Sequence, residues 1–378
     1  MPSLADVVRR HGPDYLARFG RAVLPSQARA LRDIARCRTP EMGGHIVACE
    51  ACGTEHAQHH SCRNRACGQC GADRTASWLQ QQRELLLPVP YFHVVFTVPS
   101  ELRLVIRRHQ KALLSVLVRA AVESLSSLCG DPRHLGGHIG ALAVLHTWTR
   151  ALEWHPHVHL LVPGGALDRN GRWITIPRRK KRFLVPERAV GKLFRGRFLQ
   201  MARQVLPDVT LPSLPPKQRW IVCCKETVQG SDRALEYLGR YVHKTALSNS
   251  AIVAYSDDFV TFRYRDSHNH QLKTMTLPPH EFLRRFLQHV LPRGFHRVRS
   301  YGLLHASGRV TLRRLQLMLQ RPKTAGSEPA RTKRGQLPRC PVCKSERLRR
   351  LRRFAGSERY ATTPASTPLP QSARAPPT

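Results

Sequence analysis

Two Cys-x-x-Cys pairs are the clearest chemical signature of the sequence. Cys49 and Cys52 form the first pair, and Cys67 and Cys70 form the second after fourteen intervening residues. Two such turns can each hold one edge of a tetrahedral ion at Zn–S distances of about 2.3 Å. The surrounding segment 36–77 is poor in large apolar residues, so a hydrophobic core alone cannot stabilise it and it needs a cross-link. We therefore predict a structural zinc ion (Zn2+) bound by these four cysteines.

Other possible zinc ligands leave alternatives open. His60 or Cys62 could replace one of the four thiols or bind a second ion. A further pair, Cys340 and Cys343, lies far along the chain, but one pair cannot complete a tetrahedral site. That pair is therefore either an incomplete knuckle or a site whose other ligands the sequence does not identify.

Two histidines flank a valine in a run that predicts a β-strand. His157 and His159 share one face of that strand, about 7 Å apart at the backbone, so both imidazoles can meet on one divalent ion. His155 has the same parity, but Pro156 interrupts the ladder and makes His155 a poor third ligand. The alternative is a pair of surface histidines on an edge strand.

A third metal ligand is expected from the strand that precedes this run. In an antiparallel hairpin with its turn near residue 152, His146 lies opposite His159 and within about 5 Å of it. His146 is therefore the third candidate ligand, and Glu236 and His243 are reserves. These residues predict a site for one divalent metal ion.

Two tyrosines lie four residues apart in a helical pattern. Tyr237 and Tyr241 share one face of the helix predicted over 231–245, and Arg240 and Lys244 lie on the same turns. A phenol can attack a phosphodiester when a metal polarises the phosphate and nearby cations favour its deprotonation. The pattern thus predicts a pair of nucleophiles, and ordinary core packing of the two rings is the alternative.

The elements that must position these residues alternate between strands and helices. Together they predict a mixture of helices and strands, in which 139–145 and 157–162 form an antiparallel pair. We expect a helical and zinc-binding DNA-binding domain over 1–82, a larger domain over 83–310 that carries the histidines and tyrosines, and a basic, largely disordered tail over 311–378. The predicted strands are 91–98, 139–145, 157–162, 220–224, 251–255 and 259–264, and the predicted helices include 102–128, 187–205 and 279–290.

Charge predicts the partner. The chain has 62 Lys and Arg residues against 25 Asp and Glu residues, a formal net charge of +37. Such an excess is typical of proteins that bind a polyanion, so we predict nucleic acid, with Arg63, Arg65, Arg240 and Lys244 as phosphate contacts. A solvated basic surface is the alternative for Arg63 and Arg65. Because the sequence shows neither a long apolar run nor a secretory signal, we expect no membrane partner and a soluble, intracellular protein.

Four blocks of the sequence, in the same order, resemble the two-tyrosine transposases of the IS91 family, which belong to the HUH endonucleases. The similar region spans roughly residues 15 to 305. One departure is Ala66, where the family pattern has a histidine before the second cysteine pair, which favours the four-cysteine zinc site. The blocks are Ser61–Arg65 with the cysteine pairs, His155–Val162 followed by Pro163-Gly164-Gly165, Tyr237–Lys244 and Phe286–Leu304.

The resemblance implies a function that the residues alone do not. It implies that His157 and His159 bind the metal, Mg2+ or Mn2+, and that Tyr237 and Tyr241 are nucleophiles. It also implies an α+β fold with an antiparallel sheet and flanking helices, preceded by a small zinc-binding domain, so that 83–310 would be the HUH nuclease domain. The protein would be bacterial, cytoplasmic and nucleoid-associated. The enzyme would nick and rejoin single-stranded DNA, at element ends and target, through 5′-phosphotyrosine links in rolling-circle transposition. A replication initiator or relaxase with the same chemistry is one alternative, and a non-catalytic zinc-dependent DNA-binding protein is another.

Overall fold

The computed structural model describes residues 2–70, 78–79, 81–176, 184–226, 246–266, 269–319 and 339–356. The predicted helix 231–245 lies outside these residues, and so do Glu236, His243 and four of the predicted site residues: Tyr237, Arg240, Tyr241 and Lys244.

The described elements confirm the α+β class with antiparallel sheets. The helices are α1 (Leu4–Phe19), α2 (Pro25–Arg36), α3 (Arg103–Arg108), α4 (Gln110–Gly130), α5 (Glu187–Val205), α6 (Pro279–Leu287) and α7 (Arg309–Leu319). The strands are β1 (Gly44–Cys49), β2 (Glu55–His59), β3 (Tyr91–Thr97), β4 (Gly140–Trp148), β5 (Trp154–Pro163), β6 (Gly165–Leu167), β7 (Trp173–Thr175), β8 (Val222–Glu226), β9 (Ile252–Tyr255), β10 (Val260–Arg265), β11 (Leu272–Leu277), β12 (Val298–Gly302) and β13 (Leu348–Phe354).

The chain divides into two compact units whose limits differ from the expected domains. The first unit comprises Met1–Ala35 and Asn64–Arg331, and the second comprises Arg36–Arg63 and Thr332–Thr378. The expected boundaries after residues 82 and 310 follow changes in composition along the chain. The second unit instead joins two distant segments through strand pairing, which composition does not reveal.

A five-stranded antiparallel sheet forms the centre of the first unit, in the order β12–β4–β5–β3–β8. One face is apolar because alternate side chains of each strand point the same way. On that face Phe96 and Val158 are fully buried, and Phe96 lies edge-on to Phe194 of α5 with ring centroids 5.0 Å apart. Helices α4 and α5 cover this face. Because Val158 points toward these helices, the odd-numbered residues of β5 lie on the opposite face.

Helix α4 is apolar because it is a core helix. Among the described residues it is the one helix long and apolar enough to cross a membrane, and 61% of its apolar window is buried inside the fold. Leu113, Leu117 and Ala121 contribute to the same core as the sheet. Its composition is thus accounted for by packing against the sheet and α5.

The β4–β5 hairpin brings the histidine-bearing strands together in a register that differs from the expected one. His146 pairs with His157, and Val144 pairs with His159, so the expected pairing of His146 with His159 is wrong by two residues. The cause is a register shift between His146 and Trp148, together with a turn in which Leu152 adopts a positive φ of 60°. Since the error is an even number, the predicted face is unchanged.

Local signals place the N-terminal helix. Ser3 caps α1 with a capping box, because its hydroxyl accepts from the Asp6 backbone N–H at 3.3 Å and its own N–H donates to the Asp6 carboxylate at 2.9 Å. A cap of this kind contributes about 1 kcal/mol. Helix α1 packs against α6, and β9 to β11 form a separate three-stranded sheet in the order β11–β10–β9.

The second unit is a small three-stranded antiparallel sheet with β1 in the middle, in the order β13–β1–β2. Gly44 pairs with Phe354 and Cys49 pairs with Leu348. We expect the segment 311–378 to be largely disordered, but residues 309–319 form α7 and residues 339–356 form a turn followed by β13. Strand β13 pairs with the side of β1 opposite β2, and the basic composition of β13 does not predict this pairing.

Candidate functional site

Three histidines meet on the face of the five-stranded sheet that lies opposite α4 and α5. One nitrogen from each of His146, His157 and His159 lies within 4.8 Å of the others. Their ring centroids are 5.2 Å apart for His146 and His157, 4.2 Å for His146 and His159, and 4.9 Å for His157 and His159. The structure thus brings together all three residues that the sequence nominates as metal ligands.

Hydrogen bonds at Nδ1 orient two of the three rings. Nδ1 of His157 donates to the backbone carbonyl of His155 at 2.7 Å, which leaves Nε2 as the ligand atom. Nδ1 of His159 lies 2.7 Å from Nε2 of His93. Such contacts fix the tautomer of an imidazole and so decide which nitrogen faces a metal.

Burial keeps these imidazoles neutral. It lowers the pKa of His157 to about 4 and brings the pKa values of His146 and His159 well below the usual value. The charges of the neighbouring histidines act in the same direction at His146 and His159. A neutral imidazole has a free lone pair, so the group suits a metal ion at neutral pH.

His93 is a fourth member of this group that the sequence analysis does not nominate. It lies on β3, and its ring stacks on that of His159 with centroids 5.0 Å apart and planes 5° apart. Burial lowers the pKa of His93 to about 4. Its signal in the sequence is a polar residue at an outward position of the run Tyr91–Val98, but only the pairing of β3 with β5 connects it to His159.

We expect His93→Phe to weaken metal binding without removing a ligand. Phenylalanine keeps a ring against His159 but lacks the nitrogen that contacts Nδ1, and loss of such a contact typically costs 10–100-fold in metal affinity. Calorimetric titration of the full chain with Mn2+ measures the change. His305→Gln, an exposed histidine bonded to Ser307, is the matched control. Equal affinity in the two variants would show that His93 does not orient the site.

The block Phe286–Leu304 forms hydrogen bonds with the β4–β5 hairpin. Nε2 of Gln288 donates to the carbonyl of Leu152 at 2.8 Å, which holds the positive-φ residue of the turn. His289 is buried beside it, with its Nδ1 at 3.3 Å from the Thr147 hydroxyl. The block therefore fixes the hairpin that carries the three histidines.

Positive charge adjoins the histidine group within the first unit. The Arg297 guanidinium lies over the Trp148 ring, 5.0 Å from its centroid, and its charge contributes to lowering the His146 pKa. Burial also lowers the pKa of Arg297, to about 10, so it remains charged at neutral pH. Arg65 is exposed, and its Nη1 donates to the Phe295 carbonyl.

The four predicted zinc ligands do not form one group. In the second unit the thiols of Cys49 and Cys52 lie with those of Cys340 and Cys343, all within 4.8 Å of one another. The prediction pairs the two motifs that are close in sequence, whereas the β1–β13 pairing supplies a partner from far along the chain. The four-cysteine set Cys49, Cys52, Cys67 and Cys70 must therefore be revised.

The remaining candidates of this region are described within their own units. Cys67 and Cys70 of the first unit are both buried. In the second unit the Cys62 backbone N–H lies 3.5 Å from the Cys37 thiol, and Arg63 is exposed with a positive φ of 51°.

Comparison with known proteins assigns the chain to a family. A family model described as "Transposase zinc-binding domain" matches residues 7–98, and one described as "Putative transposase" matches residues 140–311. "Putative transposase y4qJ" of Sinorhizobium fredii is 39% identical over 323 residues, which cover 80% of each chain. "Transposase for insertion sequence element IS801" of Pseudomonas savastanoi pv. phaseolicola is 28% identical over 295 residues, covering 71% of this chain and 68% of that protein. No solved structure matches the chain. With a zinc-binding domain followed by a transposase domain, the chain belongs to the IS91 family of transposases.

Proposed function

We propose that this transposase nicks and rejoins single-stranded DNA through 5′-phosphotyrosine links, in rolling-circle transposition. The observation that carries the proposal is the group of three histidines, two buried and one half-buried, on adjacent central strands of an antiparallel sheet. These strands lie in the part of the chain that matches the transposase family model. Three neutral imidazoles converging on one point can hold a divalent ion, and such an ion can assist a phosphodiester reaction.

The donor set fits a divalent ion. Neutral imidazole is a donor for first-row transition metals, whereas Mg2+ prefers carboxylate and water oxygens. Of the two expected ions, Mn2+ therefore suits His146, His157 and His159 better than Mg2+. When bound, the ion would withdraw charge from the scissile phosphate.

Tyr237 and Tyr241 are the proposed nucleophiles, and both lie outside the described residues. The phenolic oxygen of one tyrosine forms a bond to phosphorus, and the bond from phosphorus to the 3′ oxygen breaks. The 3′ oxygen leaves with the electron pair and gains a proton, which balances the proton lost by the phenol. Because the phosphotyrosine link retains the free energy of the broken diester, rejoining needs no ATP.

Basic residues of the chain would hold the DNA backbone. Arg63 and Arg65 are exposed, Arg240 lies between the two tyrosines in sequence, and Lys244 follows the second tyrosine. We assign these four to phosphates of the element ends and the target strand, and we place the reaction in the bacterial cytoplasm, where the nucleoid lies.

Covalent capture of DNA tests the proposal. The full chain is incubated with Mn2+ and labelled single-stranded oligonucleotides that carry the ends of its own element. We expect a denaturant-resistant adduct of protein with the 5′ phosphate of the cleaved product. Tight DNA binding with neither adduct nor cleavage would instead indicate a non-catalytic zinc-dependent DNA-binding protein.

Salt dependence tests the phosphate contacts. Each neutralised phosphate of a single strand contributes a slope of about −0.7 to the logarithm of affinity against the logarithm of salt, so four contacts predict about −3. We expect Arg63→Gln to flatten that slope by about 0.7 in fluorescence-anisotropy titrations. Arg133→Gln is the matched control, because Arg133 is exposed but paired with Asp131 at 2.7 Å. Identical slopes for both variants would remove Arg63 from the DNA contact.

A further inference from the structure

We propose that the second unit is a zinc ribbon in which Cys49, Cys52, Cys340 and Cys343 bind one zinc ion. This site is distinct from one built only within residues 7–98, the stretch that the zinc-binding family model matches, because two of its ligands lie far beyond that stretch. The same stretch contains four further cysteines that are not ligands of this site: Cys37, Cys62, Cys67 and Cys70.

The spacing of the sulfur atoms is that of ligands around one tetrahedral ion. Sγ of Cys49 lies 3.5 Å from Sγ of Cys343, and Sγ of Cys52 lies 3.7 Å from Sγ of Cys340. Zinc at about 2.3 Å from each sulfur separates its ligands by about 3.8 Å. A disulfide requires about 2.05 Å, so these contacts are not disulfide bonds.

The two Cys-x-x-Cys turns have the same backbone structure. The N–H of Gly53 donates to the carbonyl of Cys49 at 2.8 Å, and the N–H of Lys344 donates to the carbonyl of Cys340 at 3.0 Å. In each turn the residue after the second cysteine has a positive φ, 71° at Gly53 and 62° at Lys344.

A second hydrogen bond repeats in the same way. The N–H of Cys49 donates to the carbonyl of Thr54 at 3.0 Å, and the N–H of Cys340 donates to that of Ser345 at 2.9 Å. A positive φ is uncommon in a residue such as Lys344 and is adopted where the surrounding structure requires it. The same turn therefore occurs twice, and the two copies bring their four thiols together as in a preformed metal site.

Strand pairing brings the two turns to the same end of the sheet. Cys49 is the last residue of β1 and pairs with Leu348, the first residue of β13. Beyond that pair, the Glu50 N–H donates to the Arg347 carbonyl at 3.0 Å. The antiparallel pairing of β1 with β13 thus places both Cys-x-x-Cys turns at the same end of the sheet.

The hydrophobic core of this unit is too small to hold the sheet without a staple. Among its described residues, the buried apolar side chains other than cysteine are Ile46, Val47 and Phe354. Small domains that cannot bury enough apolar surface are usually fixed by disulfides or by a structural metal. Since these four cysteines form no disulfide, a bound metal ion is the cross-link that they can provide.

The site would also order a basic strand. The segment from Arg347 to Phe354 contains five exposed arginines: Arg347, Arg349, Arg350, Arg352 and Arg353. If the chain acts on DNA as proposed above, the zinc ion aligns these cations along one strand for contact with phosphates. The metal site itself does not depend on that function.

Thiol protection in the unmodified full chain tests the site directly. Cys52 and Cys343 are exposed to solvent, so burial cannot shield them from an alkylating reagent. We expect all four cysteines to resist iodoacetamide in zinc-loaded protein and to become reactive together when a chelator is added. Peptide mass spectrometry measures each position, and Cys129, buried in the core of the first unit, must stay protected throughout. Immediate alkylation of Cys52 and Cys343 in zinc-loaded protein would overturn the proposal.

Zinc content of variants provides the second measurement. We expect Cys340→Ser with Cys343→Ser to lower the zinc content of the full chain by one ion, measured by mass spectrometry of the metal. Cys223→Ser, a half-buried cysteine outside this group, should leave the content unchanged. Unchanged zinc in the double variant would mean that Cys340 and Cys343 are not ligands, whatever the DNA activity of the protein.

Discussion

We expect the double variant Tyr237→Phe/Tyr241→Phe to form no covalent adduct with single-stranded DNA, while its DNA affinity stays close to that of the unmodified chain. Removing both phenolic oxygens removes the proposed nucleophiles, but each ring and the nearby cations remain. Denaturing gel electrophoresis with labelled oligonucleotides measures the adduct, and anisotropy measures binding. An adduct formed by the double variant would place the nucleophile elsewhere in the chain.

The single variants separate the roles of the two tyrosines. On the predicted helix, residues four apart are about 6 Å apart, so both oxygens cannot be in line with one phosphorus at the same moment. We therefore expect at least one single Tyr→Phe variant to nick an oligonucleotide but to fail at complete strand transfer, which requires two attacks. If both single variants completed strand transfer, one tyrosine would suffice and the two-nucleophile mechanism would be wrong.

We expect His159→Ala to reduce DNA cleavage by about a thousandfold or more. His159 is buried at the centre of the group, and its ring lies nearest to that of His146, with centroids 4.2 Å apart. A metal ion acting as a Lewis acid contributes several kcal/mol to transition-state stabilisation, and each 1.36 kcal/mol is tenfold in rate. Cleavage rates at saturating oligonucleotide and several Mn2+ concentrations measure the loss.

His155→Ala is the matched control for this experiment. His155 lies on the same strand, and its ring is 5.1 Å from that of His157, but it does not belong to the three-histidine group. Its backbone carbonyl, which accepts from His157, remains in the alanine variant. We expect nearly full cleavage by this variant. Equal losses in His155→Ala and His159→Ala would show a general effect of the strand rather than loss of a ligand.

Period-two patterns were sufficient to predict the histidine face. The alternation around Val158 puts it in the core and puts His157 and His159 on the opposite face, as the structure has them. The position of His146 followed from the same parity, although its partner was predicted wrongly, because a register shift and a positive-φ turn leave no mark in the periodicity.

Contacts between distant strands could not be predicted in this way. His93 reaches His159 only because β3 is the neighbour of β5, and strand order is not encoded in local pattern. Likewise, only the pairing of β13 with β1 identifies Cys49 and Cys52 as the partners of Cys340 and Cys343. The tyrosines remain predictions from sequence and family resemblance, since they lie outside the described residues.

The pairing of β1 with β13 has a consequence for the order in which the protein matures during synthesis. Cys52 leaves the ribosome about 290 residues before Cys340, and at 5–20 residues per second this interval lasts roughly 15 to 60 seconds. Throughout it, β1 has β2 on one side and no partner on the other. Closing so long a loop comes late in folding, because chain entropy opposes contacts between distant segments. The basic strand β13 therefore joins its sheet only after the histidine-bearing strands have been synthesised. A nascent chain thus forms the sheet of the proposed catalytic site before it orders the basic strand that we propose contacts DNA.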